Sequence, residues 1–308
     1  MWISCRKPNK DELWTIVPKD GNFPAMKKPT WKLLDLLNEA SSFFCSKGVE
    51  NYRLQAELLL AAVLEIKRLD LYLQHERVLL EHEVLMFREY VKSCLQGVPI
   101  QYITGVASFR LLDFKISDAV LIPRPETEIL VDCALEFVES VNDPRVLDLG
   151  CGSGAIAVSI AYENPSSLVT AIDIDREALL VTSRNAENHG VLERMSLICG
   201  DLLSSISPGT HFDLIICNPP YIPTLAIDML DAGVRDFEPR RALDGGADGL
   251  DYYRQLTESA SVLSPGGALI LEVGDGQVTD VADIIEKSSC FAKIDVRVDL
   301  TKTPRIVI

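Results

Sequence analysis

The sequence predicts an α/β protein, a doubly wound and mostly parallel sheet of seven strands preceded by a small helical domain. Three observations carry this. From Arg145 to Ile308, short apolar runs of strand length alternate with amphipathic stretches of helix length. Residues 30–98 show helical spacing alone, and residues 99–122 switch to a β-like pattern. Several of the apolar runs after Arg145 stop abruptly at glycine, aspartate or proline, at the strand ends where open α/β sheets receive ligands.

With 308 residues, the chain has room for two domains of ordinary size. Hydrophobic residues at 47% and charged residues at 24% are a globular balance. The formal net charge of −15 argues against stable binding to nucleic acid, because phosphate neutralisation needs a basic face. Residues 1–30 contain no apolar core of secretory length, and no stretch approaches the roughly twenty apolar residues of a membrane span. Eight cysteines lie scattered without a Cys-x-x-Cys spacing, and the four histidines do not pair with them. The expectation is reduced, mostly buried thiols, no metal, and a cytoplasmic compartment.

Residues 1–29 read as an N-terminal extension whose Trp2 and Trp14 are suited to dock onto the body. Thr30 is a plausible N-cap for a helix whose Leu33, Leu36, Leu37, Ala40, Phe43 and Phe44 share one face, stopped by Gly48. Leu54, Leu58, Ala61 and Ala62 mark a second helix. Val84, Phe87, Val91, Cys94 and Leu95 mark another, closed by Gly97 and Pro99. Residues 99–122 form a hairpin linker, read as β-like from Gln101 to Leu121 with a polar break at Asp113.

Residues 123–308 make the second domain. Two prolines stiffen Ile122-Pro123-Arg124-Pro125-Glu126-Thr127-Glu128, and a helix follows through Ile129, Leu130, Cys133, Ala134 and Phe137. Arg124, Glu126 and Glu128 either complement that helix start or help close a site. Strands are expected at Arg145–Leu149, Leu168–Ile172, Met195–Cys199, Phe212–Cys217, Ala268–Val273, Lys293–Val298 and Arg305–Ile308. Helices are expected at Ala155–Tyr162, Arg176–Asn188, Tyr252–Leu263 and Val278–Lys287.

Asp148-Leu149-Gly150-Cys151-Gly152-Ser153-Gly154 joins the first of these strands to its helix. Glycines at 150, 152 and 154 let the backbone turn tightly and a ligand approach it at the positive end of a helix. The spacing is not the dinucleotide one, because Ala155 stands where Gly-x-Gly-x-x-Gly needs glycine, and no Gly-Lys-Ser/Thr follows. Asp173 ends the next strand, placed to accept from ribose hydroxyls. Asp201 ends the one after, placed to accept from an adenine amino group. Phe212–Cys217 then runs into Asn218-Pro219-Pro220-Tyr221, an amide, two rigid residues and an aromatic ring held just past a strand end.

Asp-x-Gly-x-Gly-x-Gly, Asp173 and Asn-Pro-Pro-Tyr together resemble a class I S-adenosylmethionine-dependent methyltransferase acting on a planar nitrogen. The match is closer to the protein-(glutamine-N5) methyltransferases of the HemK/PrmC family. Leu121 to Glu128 is similar to that family's interdomain signature. Val234-Arg235-Asp236-Phe237-Glu238-Pro239, Ala242-Leu243 and Gly245-Gly246 are similar to its loop after Asn-Pro-Pro-Tyr. Leu202 departs from the tryptophan that some members carry.

The resemblance covers residues 30–308. It implies a Rossmann-like methyltransferase sheet and S-adenosyl-L-methionine as cofactor, held by Gly150, Cys151, Gly152, Ser153, Gly154, Asp173, Asp201, Leu202 and Asn218. It implies catalysis by Asn218, Pro219 and Tyr221, with Asn218, Pro219, Pro220 and Tyr221 binding the substrate. The expected partner is a peptide chain release factor, methylated by a monomer at the glutamine of its Gly-Gly-Gln loop. An N6-adenine methyltransferase, a methyltransferase of a ribosomal-protein glutamine and a non-catalytic cofactor-binding scaffold are the alternatives.

Overall fold

The computed structural model describes residues 30–299 and 301–308. The expectations for the extension 1–29, with Trp2 and Trp14, lie outside the described residues. The chain divides between Thr104 and Gly105 into two compact units.

The first unit is helical: α1 (Leu33–Ser46), α2 (Tyr52–Leu64), the single turn α3 (Asp70–Leu73), α4 (Glu81–Leu95) and α5 (Ile100–Thr104). The apolar face of α1 is buried as its spacing predicts, but its N-cap is Lys32 rather than Thr30. In α2 the expected face holds only in part, with Ala61 buried as expected. Leu54 and Leu58 are exposed, and Ala56, Leu59, Leu60 and Val63 are buried instead. Leucines stand on several sides of this helix, so its own periodicity is weak, and packing against α1 and α4 selects the face. Glu57 is buried with them and receives Arg53 Nε at 2.9 Å. Gln101 to Thr104 are helical rather than β-like. Pro99 accepts from the amides of Tyr102 and Ile103, and its fixed φ prepares a helical first turn.

The second unit opens with an antiparallel hairpin, β1 (Val106–Phe109) and β2 (Leu112–Lys115). The main sheet and its helices follow as α6 (Thr127–Val138), β3 (Arg145–Leu149), α7 (Ala155–Glu163), β4 (Leu168–Asp173), α8 (Arg176–Asn188), β5 (Met195–Cys199) and β6 (Phe212–Cys217). After these come α9 (Ala232–Arg235), α10 (Asp251–Leu256), β7 (Leu263–Glu272), α11 (Val278–Ser288), β8 (Val296–Val298) and β9 (Pro304–Val307). The helix expected over Tyr252–Leu263 is α-helical only to Leu256, and Thr257–Val262 tightens into 3-10 geometry. The strand expected over 293–298 is reduced to its last three residues.

The seven strands run in the order β5-β4-β3-β6-β7-β9-β8, and β9 alone runs against the direction of the other six. The chain leaves β3 towards one edge, then returns to place β6 on the other side of β3. The carboxyl ends of β3 and β6 therefore diverge into a crevice, in the register Leu149↔Cys217. Cys217 donates its thiol to the Leu149 carbonyl at 2.9 Å, which pins the two ends together. Every residue of β6 except Asp213 is buried, as a strand covered on both faces requires. Among the described residues no helix is long and apolar enough to cross a membrane. The thiols are less buried than expected: Cys133, Cys151 and Cys217 are buried, but Cys45, Cys199 and Cys290 are exposed.

Candidate active site

The turn after β3 is the first wall of the site. Gly150, Gly152 and Gly154 all take positive φ, which side chains disfavour. At Gly154 the space is closed as well, because a Cβ would lie 2.8 Å from Thr182 Cγ2. At Gly150 and Gly152 a Cβ would meet nothing within 4 Å, so their backbone faces open space. Two polar residues of α8 brace this turn from behind. Thr182 donates to the Gly152 carbonyl at 2.9 Å, and Asn185 donates to the Ser153 carbonyl at 2.9 Å. Asn185 also accepts from the Lys115 amide of β2 at 2.8 Å. Sequence reading missed both, although two polar residues spaced by three on the buried face of a helix are a usable signal.

The second wall is acidic. Asp173 accepts from the amides of Gly152 and Asp175, each at 2.8 Å, and so ties the end of β4 to the glycine turn. Burial pushes its carboxyl up, and those two amides hold it back. Asp148 lies behind the turn, fully buried. Its Oδ2 accepts from the Ala157 amide at 3.2 Å, while Oδ1 has no partner. Burial pushes Asp148 up to about 7, against that amide. Leu202, next to Asp201, is held at φ 43, a left-handed conformation costing on the order of 1 kcal/mol for a residue with a side chain.

The third wall is Asn218-Pro219-Pro220-Tyr221, and a cleft lies on each side of it. One cleft is lined by Gly150, Gly152, Asp173, Asp201, Leu202, Asn218, Pro219 and Pro220, together with Arg241 and Tyr252. The other is lined by Asn218, Pro219, Tyr221, Glu272, Arg124 and Arg305, with apolar residues of the following loop. The predicted set therefore separates. Cys151, Ser153 and Gly154 do not line the first cleft, because they turn inward against α8. Cys151 Sγ lies 3.5 Å from Thr182 Oγ1, and burial pushes its thiol far up. Tyr221 lines the second cleft only, and burial pushes its phenol up to about 12, so it stays neutral.

The acids around the first cleft suit a ligand with positive charge and paired hydroxyls. The open backbone of Gly150 and Gly152 leaves room for such a group, so the residues present fit S-adenosylmethionine. Sequence reading missed Arg241, which pairs with Asp175 at 2.6 Å at this cleft, and Tyr252. It also missed Glu272 at the second cleft, and Thr127, which accepts from Asn218 Nδ2 at 3.1 Å. An acid closing the otherwise apolar β7 was the available signal for Glu272.

Known proteins resemble this chain along most of its length. Residues 35–105 match the PrmC N-terminal domain, and residues 126–232 match the methyltransferase small domain. A protein of Chlorobaculum tepidum named release factor glutamine methyltransferase is 40% identical over 288 residues, covering 91% of this chain and 97% of its own. A protein of the same name from Moorella thermoacetica is 42% identical over 253 residues, covering 82% of this chain and 89% of its own. Among solved structures, the hMettl16 catalytic domain, in complex with the MAT2A 3'UTR hairpin 6, superposes with a TM-score of 0.53 at 12% identity. That match covers 75% of this chain and 84% of the other, and it shows the shared fold.

Proposed function

This chain belongs to the release factor glutamine methyltransferase family, and on that premise we propose how its residues methylate the side-chain amide N5 of a glutamine in a release factor. S-adenosylmethionine supplies the methyl group as the carbon of a sulfonium. The backbone of Gly150 and Gly152 holds the cofactor's amino-acid end, Asp173 its ribose hydroxyls, and Asp201 with Leu202 its adenine. The acids lining this cleft favour the cofactor's positive charge.

An amide nitrogen is a poor nucleophile, since its lone pair is delocalised into the carbonyl. What the protein contributes is position and polarisation. The Asn218 side-chain oxygen and the Pro219 carbonyl accept the two N–H bonds of the glutamine amide, which aligns the nitrogen and stabilises the positive charge that grows on it. Tyr221 offers its ring face to the planar amide, and Pro220 keeps the loop stiff. No base has to act first, because the nitrogen becomes acidic only as it is alkylated. The observation that carries this reading is the loop's place between two clefts that share Asn218 and Pro219. A cofactor on one side and an amide on the other would meet at the edge that Asn218 and Pro219 form with Leu121 and Ala242.

The target proposed is the glutamine of the Gly-Gly-Gln loop, and the enzyme is proposed to act as a monomer in the cytoplasm. Exposed free thiols at Cys45, Cys199 and Cys290 suit a reducing compartment. The test is transfer of labelled methyl to purified release factor and, separately, to duplex DNA. Label on the release factor that is lost when its Gly-Gly-Gln glutamine is changed to alanine is the expected result. Label on DNA would mean that the loop reads adenine. Label on neither would overturn the release factor as substrate.

A further inference from the structure

Asn218 can accept from a substrate amide only if its own amide points the right way, and an asparagine in a loop has two orientations of almost equal shape. In this structure Asn218 Nδ2 donates to Thr127 Oγ1 at 3.1 Å, across 91 positions of sequence. Thr127 is the first residue of α6 and is 4% exposed. Glu272 ends β7, one position beyond the paired Cys217 and Leu271, so it is the cross-strand neighbour of Asn218. It is 2% exposed, its Oε2 has no hydrogen-bond partner, and it lines the acceptor cleft.

We propose that Thr127 and Glu272 are positioning residues that hold Asn218 with its amide hydrogens turned towards them and its oxygen towards the acceptor nitrogen. The inference deepens the function proposed above and rests on it for the identity of the acceptor. The logic follows the single hydroxyl proton of Thr127. Because its oxygen receives the Asn218 N–H, that proton is free for an acceptor, and the ionised Glu272 carboxylate is the acceptor at hand. A carboxylate offers no donor, so Asn218 turns its nitrogen towards this corner and its oxygen away. Protonating Glu272 adds a donor there and removes the preference.

Burial pushes the Glu272 carboxyl up to about 7, with the Thr127 hydroxyl and the Asn218 amide pulling it down. The other titratable or charged groups facing it are Glu126, Cys217, Tyr221, Tyr253 and Arg305. Burial raises the pKa of Cys217, Tyr221 and Tyr253 further above neutral pH, so these three stay uncharged while Glu272 changes charge near pH 7. Acceptor positioning therefore weakens as pH falls through that region.

The experiment uses the full chain with release factor and cofactor, in the variants Thr127→Val, Thr127→Ser and Glu272→Gln. Thr127→Val is expected to lower kcat by about 10–100-fold while cofactor Kd stays within about twofold, and Thr127→Ser is expected to restore kcat to within about threefold of the parent. In an Asn218→Ala background Thr127→Val should do nothing more, because it acts through the missing residue. A Thr127→Val enzyme with parental kcat, or one that loses kcat and cofactor affinity equally, would overturn the proposal.

A second readout needs no substrate. The side-chain amide resonances of Asn218, assigned by their loss in Asn218→Asp, should move with pH near neutrality and stop moving in Glu272→Gln. Resonances indifferent to pH in the parent would overturn the relay. If the parent protein puts no label on release factor, the functional reading falls, while the amide resonances still judge the relay.

Discussion

Arg124 and Glu238, 114 positions apart, form an ion pair at 2.6 Å in which the carboxylate side chain is 1% exposed. It ties the proline-stiffened approach to α6 to the loop that follows Asn-Pro-Pro-Tyr, and so closes the acceptor cleft from both sides. Burial pushes the Glu238 carboxyl up, and Arg124 holds it back.

Arg124→Ala leaves that carboxylate buried without its charge partner. The expected loss is about 2–3 kcal/mol, below the range for fully buried pairs because Arg124 keeps part of its surface in water. The loss should be larger at pH 8 than at pH 5, since Glu238 can protonate at the lower pH and shed the charge. Urea midpoints at the two pH values decide this. KM for the protein substrate should rise as well, because Leu230 and Val234 of the same loop line the acceptor cleft.

Asp148 gives a pH dependence of the opposite kind. Its folded-state pKa, about 7, lies above the ordinary value of 3.8, so folding favours its neutral form. That contribution is complete below about pH 4 and is lost as pH rises through 7. Asp148→Asn is therefore expected to flatten the stability profile between those limits and to exceed the parent at pH 8 by about 1–3 kcal/mol. Denaturation curves across that range test it. A profile that keeps the parent's slope would remove Asp148 as its source.

The two clefts predict a clean division of labour. Asn218→Ala should lower kcat by about 10²–10³-fold with cofactor Kd within about threefold, as for loss of one aligned group in a preorganised site. Asp173→Asn should instead raise cofactor Kd by about 10-fold, through the lost charge-assisted hydrogen bonds, with a smaller effect on kcat at saturation. Calorimetric cofactor titration beside initial rates separates the two. Equal loss of binding and turnover in Asn218→Ala would remove the role assigned to it.

Gly249 supports Tyr221 by having no side chain. It sits at φ +79, and a Cβ there would lie 2.4 Å from the Tyr221 carbonyl oxygen, the atom that Gln277 Nε2 holds at 2.9 Å. Gly249→Ala must displace that backbone, at a cost of about 1–3 kcal/mol in stability. KM for the release factor should rise while cofactor Kd is unchanged. A crystal structure of the variant with Tyr221 unmoved would contradict this account.

Some of this protein was legible without coordinates because it is written in local chemistry. The β3, β5 and β6 strands and the α8 helix fall at the residues expected, since apolar runs and helical spacing act over a few residues and the crowded sheet leaves them no alternative. The glycine turn, Asp173 and Asn218-Pro219-Pro220-Tyr221 could be found because glycine and proline constrain their own backbone wherever they stand.

The tertiary structure decided what depends on distant partners. Which face α2 buries was settled by α1 and α4, and the leucines of α2 do not encode it. That Cys151, Ser153 and Gly154 face α8 rather than the cleft follows from Thr182 and Asn185, about thirty residues later. Thr127, Glu272 and the Arg124–Glu238 pair acquire their meaning only when the sheet register lays the end of β7 beside that of β6. Such juxtapositions are sums of many weak packing terms spread over the whole unit, and no single segment carries them.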